Sequence, residues 1–331
     1  MKIIVDAFGG DNAPLAVLEG CRQALDAEGQ GLTIVLTGPQ EAIEACAAEH
    51  KISLAGMEIR PAPRIFEMEM EPHTILRENS DTSLGVGLKA LAAGEGDAFV
   101  SAGSTGALMV GATLFVKRIR GVRRAAIGTV LPSDQGPFLL LDAGANAECT
   151  AEMLENFAVL GDAYMRKVLG VAEPKVGLAN IGTESTKGDT LRQEAYQRLQ
   201  ALPGIRFTGN IEAREVPKGE CQVVVTDGFT GNIMLKLFEG VAGTLLEMLK
   251  DVFKKNPLTM LGAVLVSKGL LGLKKKMDYA EYGGAPLLGI DGVVIKAHGS
   301  ANAKAFRFAI RQARRCLENH MVQTIKENLT A

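Results

Sequence analysis

The sequence predicts an α/β fold built on a mostly parallel β-sheet. Runs rich in Val and Ile alternate with helical patterns along the 331 residues, and almost every run stops at Gly, Asp, Asn or Ser just before a helical pattern begins. A chain of this length with 47% hydrophobic residues can bury a large core. No low-complexity segment, internal repeat or long linker interrupts it, which favours one compact unit over residues 1–331 with a helical appendage over 230–282.

The elements follow in order. KIIVDA reads as a strand, and a helix starts near Leu15; LTIVLTG is a second strand, with a helix after Pro39. DAFVSAG leads into a helix after Thr105. AAIGTVL (125–131) and PFLLLDAG (137–144) read as strands before a helix over 150–169. KVGLANIG (175–182) precedes a helix over 188–201, and IRFTGNI (205–211) and QVVVTDG (222–228) precede one over 230–255. GVVIKAHG (292–299) and a helix over 301–327 close the chain.

In an open parallel sheet the loops at the carboxyl ends of the strands line one crevice where ligands bind, so these polar loops are expected to meet at one edge. Gly103, Ser104, Thr105 and Gly106 lie between a strand and a helix and offer free backbone, two hydroxyls and a helix start, which suits a phosphate-like anion. A tight turn with Thr as N-cap is the competing reading. A second junction holds Asp6, Gly9, Gly10 and Asp11, and a third, over 182–189, adds Lys187. Three such loops weaken the reading as mere turns.

A formal net charge of −2 gives no global attraction to nucleic acid, and none is expected as a partner. The 182–188 segment lacks P-loop order, and Gly85-Val86-Gly87 follows Ser-Asp-Thr-Ser instead of a strand. There is no G-x-S-x-G or H-E-x-x-H, and His50, His73, His298 and His320 do not pair at ligand spacing. Neither a metal nor a cofactor is expected. Five scattered cysteines without C-x-x-C, and a start at MKIIVDAFGG, lead to the expectation of a reducing cytoplasm, with the thiols as core filler.

DAFGGDNAP, SAGSTGALM, LLLDAGAN, VGLANIGTESTKGD, FTGNIE, VVVTDGFTGNIMLK and YGGAPLLGIDGVVIKAHGSANAKA occur in succession. Together they resemble the PlsX family, the acyl-acyl carrier protein:phosphate acyltransferases of bacterial phospholipid synthesis, over nearly the whole chain. The resemblance implies attack of orthophosphate on the thioester of acyl-acyl carrier protein, giving acyl phosphate and free carrier. It also implies a three-layer α/β/α sandwich similar to isocitrate and isopropylmalate dehydrogenases and to phosphotransacetylase. A homodimer formed through helices beside the core, and peripheral attachment to the inner face of the cell membrane, are implied as well. The chain departs from the family pattern at Asn12, where His is usual, and at Ser104, where Asn is usual.

Phosphate is already an anionic nucleophile, so this reaction needs positioning and oxyanion stabilisation more than a deep base. Asn146, Asn180, Ser104 and Asn232 are candidate donors. Lys187 is a candidate to neutralise phosphate or a solvated surface charge. Asp227 could orient Lys187 or a water, or cap the helix near Thr230. His298 could protonate the leaving thiolate or be a packed, hydrogen-bonded histidine.

The apolar segment 257–273, followed by Lys274, Lys275 and Lys276, is too interrupted to span a bilayer. It reads as an interfacial hook using Leu265, Leu270, Leu271, Lys274 and Lys275, or as a dimer-packed helix. Arg118, Arg120, Arg123 and Arg124 form a basic run, read as helix-end charge or as a dock for the acidic carrier protein. Two rival functions remain: a phosphotransacetylase-like enzyme acting on acyl-CoA, and a non-catalytic lipid-synthesis scaffold.

Overall fold

A computed structural model describes the chain except residues 30, 278–282 and 331, and without the side chains of 273–277 and 330. Its centre is one eleven-stranded sheet in the order β3-β2-β1-β4-β11-β10-β5-β6-β9-β7-β8. In chain order the strands are β1 (Lys2–Asp6), β2 (Thr33–Gly38), β3 (Met57–Pro61), β4 (Ala98–Ser101), β5 (Ala126–Ser133) and β6 (Gly136–Leu141). They continue as β7 (Lys175–Asn180), β8 (Arg206–Glu212), β9 (Val223–Val225), β10 (Ala285–Leu288) and β11 (Val293–Lys296). The sequence reading gave no strand at β3 or β10, which are short and carry Pro.

The helices are α1 (Leu15–Glu28), α2 (Gln40–Glu49), α3 (Ser83–Ala92), α4 (Thr105–Gly111), α5 (Ala151–Lys167), α6 (Thr190–Ala201), α7 (Gly228–Lys254), α8 (Pro257–Leu265), α9 (Ser267–Met277), α10 (Ala303–Glu318) and α11 (Met321–Thr330). Side-chain oxygens of Thr82, Ser104, Thr150, Asp189, Asp227, Asn256 and Asn302 cap seven of them, as their short polar chains predict. The expected helix over 301–327 is two helices, because His320 takes a positive φ of 50° between them.

Successive strand residues point to opposite faces, and both faces are buried. Ile3, Val5, Leu139, Leu141, Val223 and Val225 join the core under α1, α2, α5, α6, α10 and α11. Ile4, Leu140 and Val224 join the core under α3, α4 and α7. The result is the expected three-layer α/β/α sandwich.

One expectation is corrected. β10 is antiparallel to both neighbours and β5 is antiparallel to β6, so β1–β4 and β11 run one way and β6–β9 the other. The carboxyl ends of the two halves therefore lie at opposite edges of the sheet. What brings their loops together is a shared face: α4 from the first half and α7 from the second both pack on the same side of the central strands.

Candidate active site

A cavity of about 430 Å³ lies on that face. Thr105 begins α4, Gly144 follows β6, Asn232 sits one turn into α7, and Lys296, His298 and Gly299 follow from β11; all six line it. Ile127 and Thr129 of β5 form part of its wall.

The first-half loops are fastened to one another. The Asp6 carboxylate accepts Ser101 Oγ at 2.8 Å and the Phe8 amide at 3.2 Å, and Ser101 Oγ accepts the Gly103 amide at 3.0 Å. Burial raises the Asp6 carboxyl, against the pull of hydrogen bonds from Ser83, Ser101 and Phe8 and of the Lys296 charge. A Cβ on Gly9 would stand 2.8 Å from Asp6 Oδ2, Gly103 N and Ser101 Oγ, so only glycine lets the two loops approach. Gly10 packs on the Gly299 carbonyl, which accepts the Asp11 amide at 2.8 Å. Asn12 donates to the carbonyls of Ser300 at 3.2 Å and Ala301 at 3.3 Å, so the residue that departs from the family pattern ties the first loop to the last. Ser104 is buried and its hydroxyl accepts the Ala107 amide at 3.4 Å, so the cap of α4 is this serine and not the threonine of the competing reading, Thr105 being the first residue of the helix.

In the second half Asp142, not singled out from the sequence, organises the loop after β6. It is fully buried and accepts the amides of Ile127, Gly144, Ala145 and Asn146 at 2.8–3.1 Å. Asn146 Nδ2 donates to Asp142 and to the Ala125 carbonyl, both at 2.8 Å, so its two amide hydrogens are engaged internally. The signal available in the sequence was an acid ending an apolar run just before glycine.

Lys296 is the second residue that sequence reasoning missed. Its Nζ donates to the carbonyls of Ala102 at 3.1 Å and Ala297 at 2.5 Å. Burial lowers its ammonium to about 8, against the raising effect of Asp6 and Asp11. A lone lysine at the end of VVI was the clue. His298 is exposed beside it; Nδ1 lies 2.8 Å from Ser300 Oγ and accepts the Ser300 amide at 3.2 Å. A neutral ring so placed carries its proton on Nε2. The Asn232 side chain has no hydrogen-bond partner among the described residues.

Of the sequence candidates, Thr105, Asn232 and His298 line this cavity; Asp6, Gly9, Gly10, Asp11, Gly103 and Ser104 lie behind its wall in the fastened loops, and Asn180, Lys187 and Asp227 stand apart from it. Asn180 donates to the Lys187 carbonyl at 3.1 Å and accepts the Ile181 amide at 2.8 Å, which shapes the 181–188 loop. Lys187 is exposed on that loop and lines neither this cavity nor the next. Asp227 caps α7 by accepting the Thr230 amide at 2.9 Å, and its ion partner is Arg192 of α6, not Lys187. Arg192, which also pairs with Asp189 at 2.8 Å, was not read from the sequence. Burial raises all five cysteine thiols, Cys149 to about 12, which disfavours a thiolate nucleophile.

A second cavity, of about 800 Å³, shares Thr105 and Gly144 with the first and adds Gly106 and Asn146. Arg118, Arg123 and Arg124 line it, while Arg120 is exposed outside it. Arg123 Nε is 2.7 Å from Glu152.

The model of a family described as fatty acid synthesis protein matches residues 1–324. A phosphate acyltransferase of Clostridium perfringens (strain SM101 / Type A) is 43% identical over 330 residues, covering 100% of this chain and 97% of that protein. One from Alkaliphilus oremlandii is 43% identical over 331 residues, covering 100% and 98%. The fold is similar to that of the EutD phosphotransacetylase from Staphylococcus aureus, with TM-score 0.64, 18% identity and coverage of 95% of this chain and 94% of that one. A branched-chain phosphotransacylase from Enterococcus faecalis V583 gives TM-score 0.58 at 13% identity, covering 96% and 99%. With the match running through every loop that builds the cavity, the chain belongs to the PlsX family of fatty acid synthesis proteins.

Proposed function

We infer that the chain is a phosphate acyltransferase: it transfers the acyl group of acyl-acyl carrier protein to orthophosphate, and the acyl phosphate feeds phosphatidic acid synthesis. The observation that carries this reading is the cavity that gathers Thr105, Gly144, Asn232, Lys296 and His298 from both halves of the sheet. A phosphate oxygen attacks the thioester carbon, the carbonyl oxygen takes the negative charge, and the C–S bond breaks to release the carrier thiolate. Asn232, which lines the cavity with its amide unengaged, is the proposed donor to that oxyanion, and one such donor supplies about 2.7–4 kcal/mol of barrier lowering. His298 Nε2 can protonate the departing sulfur. The Gly103–Gly106 loop is the proposed phosphate cradle, and Asp227 supports the site by capping the first turn of α7, which carries Asn232.

The arginine-lined cavity supports docking of the acidic carrier, because it opens onto the same Thr105 and Gly144 from a cationic side. Incubation with long-chain acyl carrier protein and phosphate, with hydroxylamine trapping of the mixed anhydride, tests the whole reading. Phosphate-dependent carrier release is expected. Faster turnover of acetyl-CoA would move the assignment to a phosphotransacetylase, and no release would leave a scaffold.

Two further surfaces bear on partners. Phe229, Ile233, Leu237, Val241, Leu245, Met248 and Val252 form an exposed stripe at three-to-four spacing along α7, which supports a homodimer. α8 buries nothing, and Leu258, Leu261, Val264, Leu265 and Leu271 are exposed, which supports peripheral contact with a membrane from the cytoplasmic side. Leu270 is half-buried, and the side chains of Lys274 and Lys275 lie outside the described residues. Among the described residues no helix is long and apolar enough to cross a membrane. Leu265→Asp with Leu271→Asp is expected to abolish cosedimentation with anionic phospholipid vesicles while carrier release is retained. Undiminished sedimentation would remove the membrane role.

A further inference from the structure

We propose that Lys296 is the cationic anchor of the phosphate nucleophile, held by the carbonyls of Ala102 and Ala297 so that its third N–H meets a phosphate oxygen. The inference rests on the acyltransferase reading and deepens it by naming the group that binds the nucleophile. An ammonium has three donors, and two are fixed here, one to the residue before Gly103 and one to the residue before His298. Lys296 thus ties the roots of two loops that line the cavity, and it brings a positive charge to the cavity wall. Lys187, the cation singled out from the sequence, is exposed and lines neither cavity.

Asp6 at the end of β1 and Asp11 in the next loop face Lys296 and keep its charge. Lys236 and Glu239 of α7 line the same cavity, as does His298 on its own strand end. An ammonium lowered to about 8 is charged at neutral pH and loses its charge as pH rises through that value. Phosphate affinity is therefore highest below this point and falls above it. Lys296→Arg keeps a positive charge beside Asp6 and Asp11, so comparison of its pH profile with that of the wild type isolates the lysine.

The test measures KM for phosphate and for acyl carrier protein between pH 6.5 and 9.5 in wild type, Lys296→Arg and Lys296→Met. The wild-type phosphate KM is expected to rise above about pH 8. In Lys296→Arg the guanidinium stays charged, and that rise is lost. At pH 7, Lys296→Met is expected to raise the phosphate KM about tenfold or more, as for loss of a charge-assisted hydrogen bond, with the carrier KM nearly unchanged. A Met variant that folds and keeps the wild-type phosphate KM and pH profile overturns the proposal.

Should Lys296→Met fail to fold, NMR of the wild-type Lys296 amine decides. Added inorganic phosphate is expected to move its titration midpoint upward, and an unmoved midpoint overturns the proposal. Wild type that forms no acyl phosphate would instead defeat the acyltransferase reading, and the midpoint response to phosphate would still judge Lys296.

Discussion

Asp142→Ala is expected to destabilise the protein by about 3–5 kcal/mol, seen as a lower urea midpoint with an unchanged slope. The carboxylate is fully buried and receives four backbone amides and the Asn146 side chain. Each donor left unmatched costs roughly 1–3 kcal/mol, and the sum is reduced because water can enter the vacated space. Burial pushes this carboxyl up, yet the donors around it oppose that shift, so their loss and not relief of a charge dominates. Asp142→Asn does not rescue, since an NH₂ would face N–H groups. By contrast, breaking the exposed Arg22–Asp26 pair by Asp26→Ala is expected to cost under about 1 kcal/mol. A cost below 1 kcal/mol for Asp142→Ala would show that the loop does not depend on this acceptor. Activity should fall with stability, because Gly144 and Asn146 sit in the cavity walls.

The second large effect is expected from Gly231→Ala, where two physical terms have opposite signs. Helix propensity alone favours alanine by about 1 kcal/mol. At this position, however, a Cβ would stand 1.9 Å from the Asp142 carbonyl oxygen and 2.9 Å from Thr226 Cγ2. A backbone oxygen cannot rotate away, so the start of α7 must move, at about 1–3 kcal/mol or more. The steric term wins. Asn232 is the next residue, and a displacement of about 1 Å in a positioned group can cost about a hundredfold in rate. The matched control is Gly243→Ala in the same helix, where an added Cβ meets nothing within 4 Å and modest stabilisation is expected. Equal effects at the two glycines would show that α7 is not clamped at Asp142.

These two sites mark how far local chemistry could be read in advance. The loop quoted as LLLDAGAN was legible as a polar strand end, but the role of Asp142 was not, because its donors include Ile127, fifteen residues away and on another strand. Lys296 was hidden for a similar reason: its carbonyl partner on Ala102 lies 194 residues back along the chain. Lys187, a lysine between Thr and Gly at a helix start, has the composition of an anion loop, which is all that the sequence could supply. Where it sits was decided by the fold: its loop folds on Asn180 and the lysine is exposed. Asp227 shows the converse, for its capping of α7 needs only three residues of context and was one of the two readings offered.

What the sequence determined by itself was whatever acts at short range: strands as short Val- and Ile-rich runs, helix starts with their capping side chains, the glycine-bearing junctions, and the order of blocks that marks the family. The tertiary structure alone decided the polarity of the two half-sheets, the face on which α4 and α7 meet, and the pairing of Asp227 with Arg192. The physical reason is range. Hydrophobic periodicity and capping act within a few residues, whereas the direction of a strand and the partner of a buried charge are set by packing between segments that the chain brings together only when folded.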